Sequence, residues 1–185
     1  MLLIDNFVDG ELLEGFNKPQ LWFAQQEKYS WYDKGEPTNH FEKFIQYAAK
    51  WLNIFDKHEG FEYWVICNTK DDAVDWHIDV DELHKQDLPA NSTIYYGFPH
   101  SMWGGMLEFA CEPSRSEVER FAPTFNRLIF NPEPEREHRV TRLWSGDRMS
   151  LVFSGWDTKP KLFANSNVVT VAEVKEKLND AINTY

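Results

Sequence analysis

Seven short segments rich in β-branched and aromatic residues follow one another between residues 61 and 154, and they constrain the fold more than any other feature. Each segment has strand length, and residues typical of turns separate many of them. Many short strands predict a barrel or a roll made of two sheets. The predicted strands are residues 61–68, 75–79, 92–98, 106–110, 127–130, 138–143 and 148–154.

The segments on either side of the strands have a helical pattern. Asn39 and Glu42 form a plausible capping box after Pro37, and apolar residues then recur at helical spacing as far as Phe55. An earlier helix is predicted over residues 12–26, where Pro19 divides it into two pieces. A last helix is predicted to begin at Thr170. We therefore expect a mainly β fold with N-terminal helices packed outside and a C-terminal helix.

The length of the chain is that of one domain. At 185 residues it is long enough to bury a substantial core. We expect a single domain over residues 1–185. Its predicted parts are a helical support (1–60), the roll (61–156) and a C-terminal extension with its helix (157–185).

Composition disfavours several classes of function. The net charge of −11 opposes binding to nucleic acid, because contacts with phosphate dominate that affinity. No apolar run approaches the length that spans a bilayer, so we expect no membrane partner. The chain has two cysteines, Cys67 and Cys111, and no charged-then-apolar leader, which predicts a cytoplasmic location.

His77 and Asp79 lie two residues apart in a predicted strand. Side chains at this spacing point to the same face, about 6–7 Å apart, so both can reach one small cation. His138 begins a later predicted strand and could complete a set of two histidines and one carboxylate. Such a set leaves open positions on an octahedral iron. Asp81 continues the same alternation and is the alternative carboxylate.

The last strong strand carries a charge on one of its two faces. Arg148, Ser150 and Val152 share one face, and the residues between them make the other face aliphatic and aromatic. An arginine that points into a roll is costly unless it meets an anion. The anion is either a bound ligand or an internal carboxylate such as Asp147 or Glu108. Residues 144–147 are predicted to form a hairpin turn that places the His138 strand beside the Arg148 strand.

Three stretches of the chain carry a resemblance to a known family. They read WHID, TIYYGFPHSMWGGMLEFA and APTFNRLIFNPEPEREHRVTRLWSGDRMSLVF. Together they resemble the iron(II)- and 2-oxoglutarate-dependent oxygenases, and within them the prolyl 4-hydroxylases. The similarity is nearest to the compact oxygen-sensing prolyl hydroxylases and their microbial relatives. It covers about residues 61–156 and implies a double-stranded β-helix, the cupin-like jelly roll, as the catalytic unit of a single oxygenase domain.

The resemblance also implies the cofactors and the reaction. His77, Asp79 and His138 would be the iron(II) ligands, with 2-oxoglutarate as co-substrate, O2 as oxidant and ascorbate as a reductant. The expected activity is a dioxygenase that hydroxylates a prolyl residue in a peptide or protein and releases succinate and CO2. A proline-containing peptide or protein is therefore the expected partner.

Further site residues follow from the same resemblance. Arg148 would be a catalytic residue that pairs with the distal carboxylate of 2-oxoglutarate, and Tyr96 and Ser150 would add hydrogen bonds there. Tyr96 is equally compatible with an ordinary core tyrosine. The chain departs from the family at Cys67, where oxygen-sensing relatives tend to have a tyrosine, and at Val152, where some have a threonine.

Two alternative functions remain open on the sequence. The first is a hydroxylase of a free amino acid or another small molecule. The second is a jelly-roll module that binds metal without turnover, as a sensor or a structural protein. The Arg148, Ser150 and Tyr96 set argues against the second, because a protein that only holds a metal needs no dicarboxylate anchor.

Overall fold

The computed structural model describes residues 1–183, with side chains as far as Asn179. Its main element is a seven-stranded antiparallel sheet in the order β1-β9-β5-β12-β3-β2-β13. The strands are numbered in chain order across all sheets. The seven strands are β1 (Leu2–Asp5), β2 (Lys28–Tyr32), β3 (Gly60–Asn68), β5 (Asn91–Tyr96), β9 (Arg127–Asn131), β12 (Arg148–Trp156) and β13 (Val168–Thr170).

A smaller antiparallel sheet packs against this large one. Its order is β4-β10-β7-β8, with β4 (Val74–His77), β7 (Leu107–Ala110), β8 (Val118–Phe121) and β10 (His138–Val140). A third pair joins β6 (Trp103–Gly104) to β11 (Leu143–Ser145). Aliphatic and aromatic side chains from both main sheets form one buried cluster between them. The chain is therefore the mainly β, two-sheet protein that the spacing of short strands predicts.

The helices cover the other face of the large sheet. They are α1 (Gly10–Glu14), α2 (Pro19–Gln25) and α3 (His40–Trp51), and α4 (Val171–Asn183) lies at the C-terminal end. The apolar side of α3 packs with Met149, Leu151 and Phe153 of β12 in a second buried cluster. The alternation predicted for β12 is thus present, because its aliphatic face meets the helices and its charged face meets the small sheet.

Residues 1–60 contain more strand than the sequence predicts. Pro19 is the first residue of α2 and separates it from α1, as expected. Residues 2–5 and 28–32, however, are strands of the large sheet. Propensity does not reveal them because their pairing partners lie far away in sequence, β9 for the first and β3 for the second.

The predicted hairpin between the His138 and Arg148 strands is wrong. The strand that begins at His138 ends at Val140 and pairs within the small sheet, whereas the Arg148 strand pairs with β3 and β5 in the large sheet. Between them the chain turns at Gly146, whose φ of 80° is a left-handed conformation that glycine adopts without strain. The two strands therefore lie in different sheets.

Candidate metal and anion site

Two histidines and one carboxylate converge at one end of the small sheet. His77 ends β4, His138 begins β10, and these two residues are paired across the adjacent strands. Asp79 lies two residues beyond the end of β4, so it reaches the cluster from a loop and not from a strand as predicted. One ligand atom from each residue lies within 4.8 Å of the others. The structure thus brings together the three residues predicted to hold iron.

Backbone contacts orient both imidazole rings. Nδ1 of His77 lies 2.8 Å from the carbonyl oxygen of Asp75, and Nδ1 of His138 lies 3.3 Å from that of Arg136. Because a carbonyl oxygen can only accept, each Nδ1 carries a proton, and in the neutral ring this leaves the lone pair on Nε2. The Nε2 atoms lie 3.9 Å and 3.7 Å from Oδ1 of Asp79. All three donor atoms therefore face one small volume.

The surroundings of His138 and Asp79 suit a metal ligand set. Burial lowers the pKa of His138; the carboxylate of Asp79 opposes this effect and His77 reinforces it, so the ring is neutral near pH 7. The hydroxyl of Ser92 donates to Oδ2 of Asp79 at 2.9 Å, which leaves Oδ1 for a cation. Neutral imidazoles and an oriented carboxylate are the ligands that iron(II) requires, so these residues fit the predicted metal.

Asp81, the alternative carboxylate, has a structural role. It is 1% exposed, and its oxygens accept hydrogen bonds from the backbone N–H groups of Leu83, His84 and Lys161. These bonds hold the loop after β4 against the C-terminal extension. The metal-binding group among the described residues contains Asp79 and not Asp81.

Arg148 lies in the large sheet, opposite the metal-binding cluster, and is 1% exposed. Nη1 donates to Asn68 and to Ser150, each at 3.1 Å, and Nη2 donates to the hydroxyl of Tyr96 at 2.9 Å. Its Nε atom is buried and has no hydrogen-bond partner. All of its partners are neutral, so this guanidinium is buried without a counter-ion among the described residues.

The internal salt bridge that the sequence left open is not present in residues 1–183. Glu108 is buried, but it bonds to Arg120 and Arg139, with Nε of Arg139 at 2.7 Å. Burial raises the pKa of the Glu108 carboxyl, and the two guanidinium groups more than offset this and lower it. Asp147 is exposed. Because a buried cation without a partner is costly, the surroundings of Arg148 fit an anionic ligand.

A narrow cavity of about 30 Å³ connects the metal-binding cluster with Arg148. Both groups line it, together with apolar side chains from the two sheets. A dicarboxylate that spans the two groups would require these side chains to move apart. A wider cavity of about 670 Å³ lies beside Arg115 and Arg136, and its walls contain none of the three cluster residues. Cavity volume alone therefore does not identify the position of the metal-binding cluster.

Sequence reasoning missed several neighbours of the site. Asn68 and Ser92 bond directly to Arg148 and Asp79. Asn68 is directly opposite Arg148 in the β3–β12 pair, a register that the sequence does not state. Cys67, which the family comparison singled out, packs with the helical core instead, and Val152 lines the narrow cavity. The residue of β3 that faces Arg148 is thus Asn68 and not Cys67.

No protein-family model and no curated protein sequence matches this chain. Solved structures do match. A prolyl-4-hydroxylase from Pseudomonas putida aligns over 86% of this chain and 87% of its own, at 16% identity and a TM-score of 0.64. A viral collagen prolyl hydroxylase from Paramecium bursaria chlorella virus-1, in complex with 2OG, aligns over 85% and 96%, at 16% identity and a TM-score of 0.57.

A third match is a prolyl hydroxylase from Trichoplax adhaerens bound to a peptide fragment of the hypoxia inducible factor oxygen degradation domain. It aligns over 84% of this chain and 83% of its own, at 16% identity and a TM-score of 0.57. A structure from Burkholderia pseudomallei, of the 2OG-Fe(II) oxygenase family, matches with a TM-score of 0.51. This chain has the fold of the 2OG-Fe(II) oxygenases. The resemblance that its motifs predict is thus confirmed at the level of the fold.

Tyr96 and Ser150 are the two further residues predicted to lie beside Arg148. Both contact Arg148, and both are fully buried. Gly105, with a φ of 63°, passes so close that an added Cβ would lie 3.1 Å from Cδ of Arg148. Among the helices of residues 1–183, none has the length and apolar composition needed to cross a bilayer.

Proposed function

We propose that this chain is an iron(II)- and 2-oxoglutarate-dependent dioxygenase that hydroxylates a prolyl residue of a peptide or protein. Succinate and CO2 are the co-products, and ascorbate serves as reductant. The observation that carries the proposal is a buried guanidinium without a counter-ion, separated by one cavity from a His-Asp-His cluster. A module that only binds metal would have no use for this anion site.

Each part of the site has a definable task. His77, Asp79 and His138 would hold iron(II), and the bound metal would activate O2 for decarboxylation of 2-oxoglutarate and oxidation of a C–H bond. Arg148 would bind the distal carboxylate of the co-substrate through charge-assisted hydrogen bonds. Tyr96 and Ser150 fix the guanidinium in place. The aliphatic and aromatic walls of the cavity between them would help to keep water away from a bound co-substrate.

The choice of a peptidyl proline rests on similarity. Three of the matching structures are prolyl hydroxylases, and one of them is bound to a peptide fragment. The alternative is hydroxylation of a free amino acid or another small molecule. Assays of succinate formation separate the two: stimulation by proline-containing peptides supports the first, and stimulation by free amino acids alone supports the second.

An anaerobic absorption titration with iron(II) and then 2-oxoglutarate tests the class of enzyme. We expect a visible charge-transfer band in the wild-type protein that is absent from His138→Ala and Arg148→Ala. Such a band would establish chelation of the keto acid at the predicted metal. Iron binding without any band would refute the 2-oxoglutarate function and favour a metal-binding module.

A further inference from the structure

A second cavity adjoins the metal-binding cluster and has no task in the proposed reaction. It has a volume of about 120 Å³ and shares Trp64, His77 and Asp79 with the cavity that leads to Arg148. We call it the Glu62 pocket. Its remaining walls are Tyr29, Glu62, Ile78, Val80 and Glu82.

Glu62 is a buried carboxylate that lacks a cationic partner. The residue is 5% exposed, and Oε2 accepts a hydrogen bond from the indole N–H of Trp156 at 3.1 Å. Oε1 has no hydrogen-bond donor among residues 1–183, and no described lysine or arginine pairs with Glu62. The charged form of a buried carboxyl group is costly without a partner, whereas a cation in the pocket would favour that charged form.

The nearby groups reinforce the negative potential of the pocket. Asp79 lines the pocket together with Glu62. Glu82 adds a carboxylate at the outer wall, where it pairs with Lys85. Lys85 does not line the pocket.

Two aromatic rings form another part of the wall. Tyr29 and Trp64 are paired across β2 and β3, and their ring centroids are 5.9 Å apart. The faces of tyrosine and tryptophan attract ammonium and guanidinium groups, most strongly where water is excluded. The volume equals that of roughly four waters, enough for a small charged group with its adjoining carbons. An aromatic wall together with a buried carboxylate matches an organic cation better than a neutral ligand.

We propose that the Glu62 pocket binds a cationic group of the substrate, a protonated amine or a guanidinium close to the carbon that is hydroxylated. This inference rests on the proposed oxygenase function and specifies its substrate class. Because the pocket shares two metal ligands with the cavity beside it, its occupant lies next to the reacting position. The cation can belong to a basic residue near the target in a peptide or to the amine of a free amino acid.

Ligand-observed NMR tests the pocket directly. The probes are n-butylammonium and its neutral counterpart butan-1-ol, added to protein that carries manganese(II) and 2-oxoglutarate. Salt at about 0.15 M screens the acidic outer surface. We expect line broadening of the ammonium protons by the paramagnetic ion to be at least tenfold stronger than that of the alcohol. Equal broadening of the two probes would overturn the proposal.

Two matched variants locate the effect. Glu62→Gln keeps an oxygen for the Trp156 bond and removes the charge, so the preference for ammonium should fall at least tenfold. Glu42→Gln changes another buried glutamate, one that contacts Tyr63 and Thr38 away from the pocket, and should keep the wild-type preference. An unchanged preference in Glu62→Gln would also overturn the proposal. If Glu62→Gln does not fold, the comparison of the two probes on wild-type protein decides alone.

A parallel measurement separates failure of the pocket from failure of the metal site. Electron paramagnetic resonance reports whether manganese(II) binds, and saturation transfer to the two probes on metal-free protein reports pocket binding without any metal. Stronger transfer to ammonium than to the alcohol supports the pocket even if the metal site fails. Equal transfer to both probes contradicts it.

Substrate assays then distinguish the sources of the cation. Succinate formation is compared for free L-proline, a peptide with lysine beside proline, and the same peptide with norleucine in place of lysine. Turnover of L-proline places the charge in a free amino acid, and a tenfold preference for lysine over norleucine places it in a peptide. Equal turnover of the two peptides, with none of L-proline, would refute the inference.

Discussion

Arg148 carries the prediction that most directly tests the co-substrate. Replacement by alanine removes hydrogen bonds to a charged ligand, which costs about 2–4 kcal/mol, so affinity for 2-oxoglutarate should fall roughly 30- to 700-fold. Iron(II) affinity should change far less, because Arg148 is not part of the metal-binding group. Calorimetric titration of each ligand measures the two effects separately.

The control for Arg148→Ala is Arg142→Ala. Arg142 is exposed, pairs with Asp71 and lies outside the narrow cavity, so its loss should leave both affinities unchanged. Arg148→Lys keeps the charge but loses the fixed pair of donors and should show an intermediate affinity. Equal weakening of iron and 2-oxoglutarate by Arg148→Ala would contradict the assigned role.

Ser92 is predicted to act on the metal through Asp79. Its hydroxyl donates to Oδ2 of that carboxylate, and loss of such an outer hydrogen bond typically lowers metal affinity about 10- to 100-fold. Ser92→Ala should therefore weaken manganese(II) binding to this extent in an equilibrium titration. Ser154→Ala is a matched control, because Ser154 pairs with Ser92 across β5 and β12 but its buried hydroxyl has no partner. Similar affinities in the two variants would exclude this role.

The sequence predicts only some of the residues in the site. Spacing identifies His77 and Asp79, and strand alternation identifies Arg148 and Ser150. The sequence does not predict that Asn68 and Glu62 lie near the site, because their positions depend on the register of β3 against distant strands. Neither composition nor periodicity encodes that register. A histidine or an arginine in a predicted strand suggests a metal ligand or an anion-binding group from its residue type alone. The role of a buried asparagine depends on which residue it faces.

At the level of elements, local patterns predict strands and helices better than their pairing. Each of the seven predicted segments contains a strand, although residues 78–79, 97–98 and 141–142 lie outside the strands, and α3 begins after its predicted cap at Asn39. The hairpin prediction at residues 144–147 failed because a turn does not reveal that the chain crosses from one sheet to the other. β8, with two polar residues at its centre, lies at an edge and gives little apolar signal.

Asn39 connects a helix to the sheet and should contribute measurably to stability. Oδ1 accepts from the N–H of Glu42 at 3.0 Å, and Nδ2 donates to the hydroxyl of Tyr63 at 2.9 Å. Asn39→Ala should lower the free energy of unfolding by about 1–2 kcal/mol, as loss of an N-cap does. Urea denaturation measures this change.

The comparison for Asn39→Ala is Asp9→Ala. Asp9 occupies the N-cap position of α1 but makes no side-chain capping bond there, so its replacement should cost clearly less. Metal affinity should be unaffected by Asn39→Ala, because α3 packs on the face of the large sheet opposite to the metal-binding cluster. An equal loss of stability in the two variants would mean that the Asn39 bonds are not the cause.

In the whole molecule, the two sheets each provide half of the candidate site. The small sheet and its following loop provide His77, Asp79 and His138, and the large sheet provides Arg148 with its neutral partners. A ligand that contacts both halves would connect the sheets across their shared core. Metal and co-substrate should consequently stabilise the whole fold together and not just one loop.

Thermal unfolding tests this coupling. A ligand at 100 times its dissociation constant adds about 2.7 kcal/mol to the native state. For a chain of this length such a gain raises Tm by roughly 5–10 °C. Iron(II) or manganese(II) with 2-oxoglutarate should raise Tm by more than the sum of the separate shifts, because each ligand completes the site of the other.

Glutarate, which lacks the keto group that chelates metal, should give an additive shift only. In Arg148→Ala the contribution of 2-oxoglutarate should disappear while that of the metal remains. Additive shifts for 2-oxoglutarate and metal in the wild-type protein would show that the two ligands do not share a site, and the bridge between the sheets would have to be abandoned.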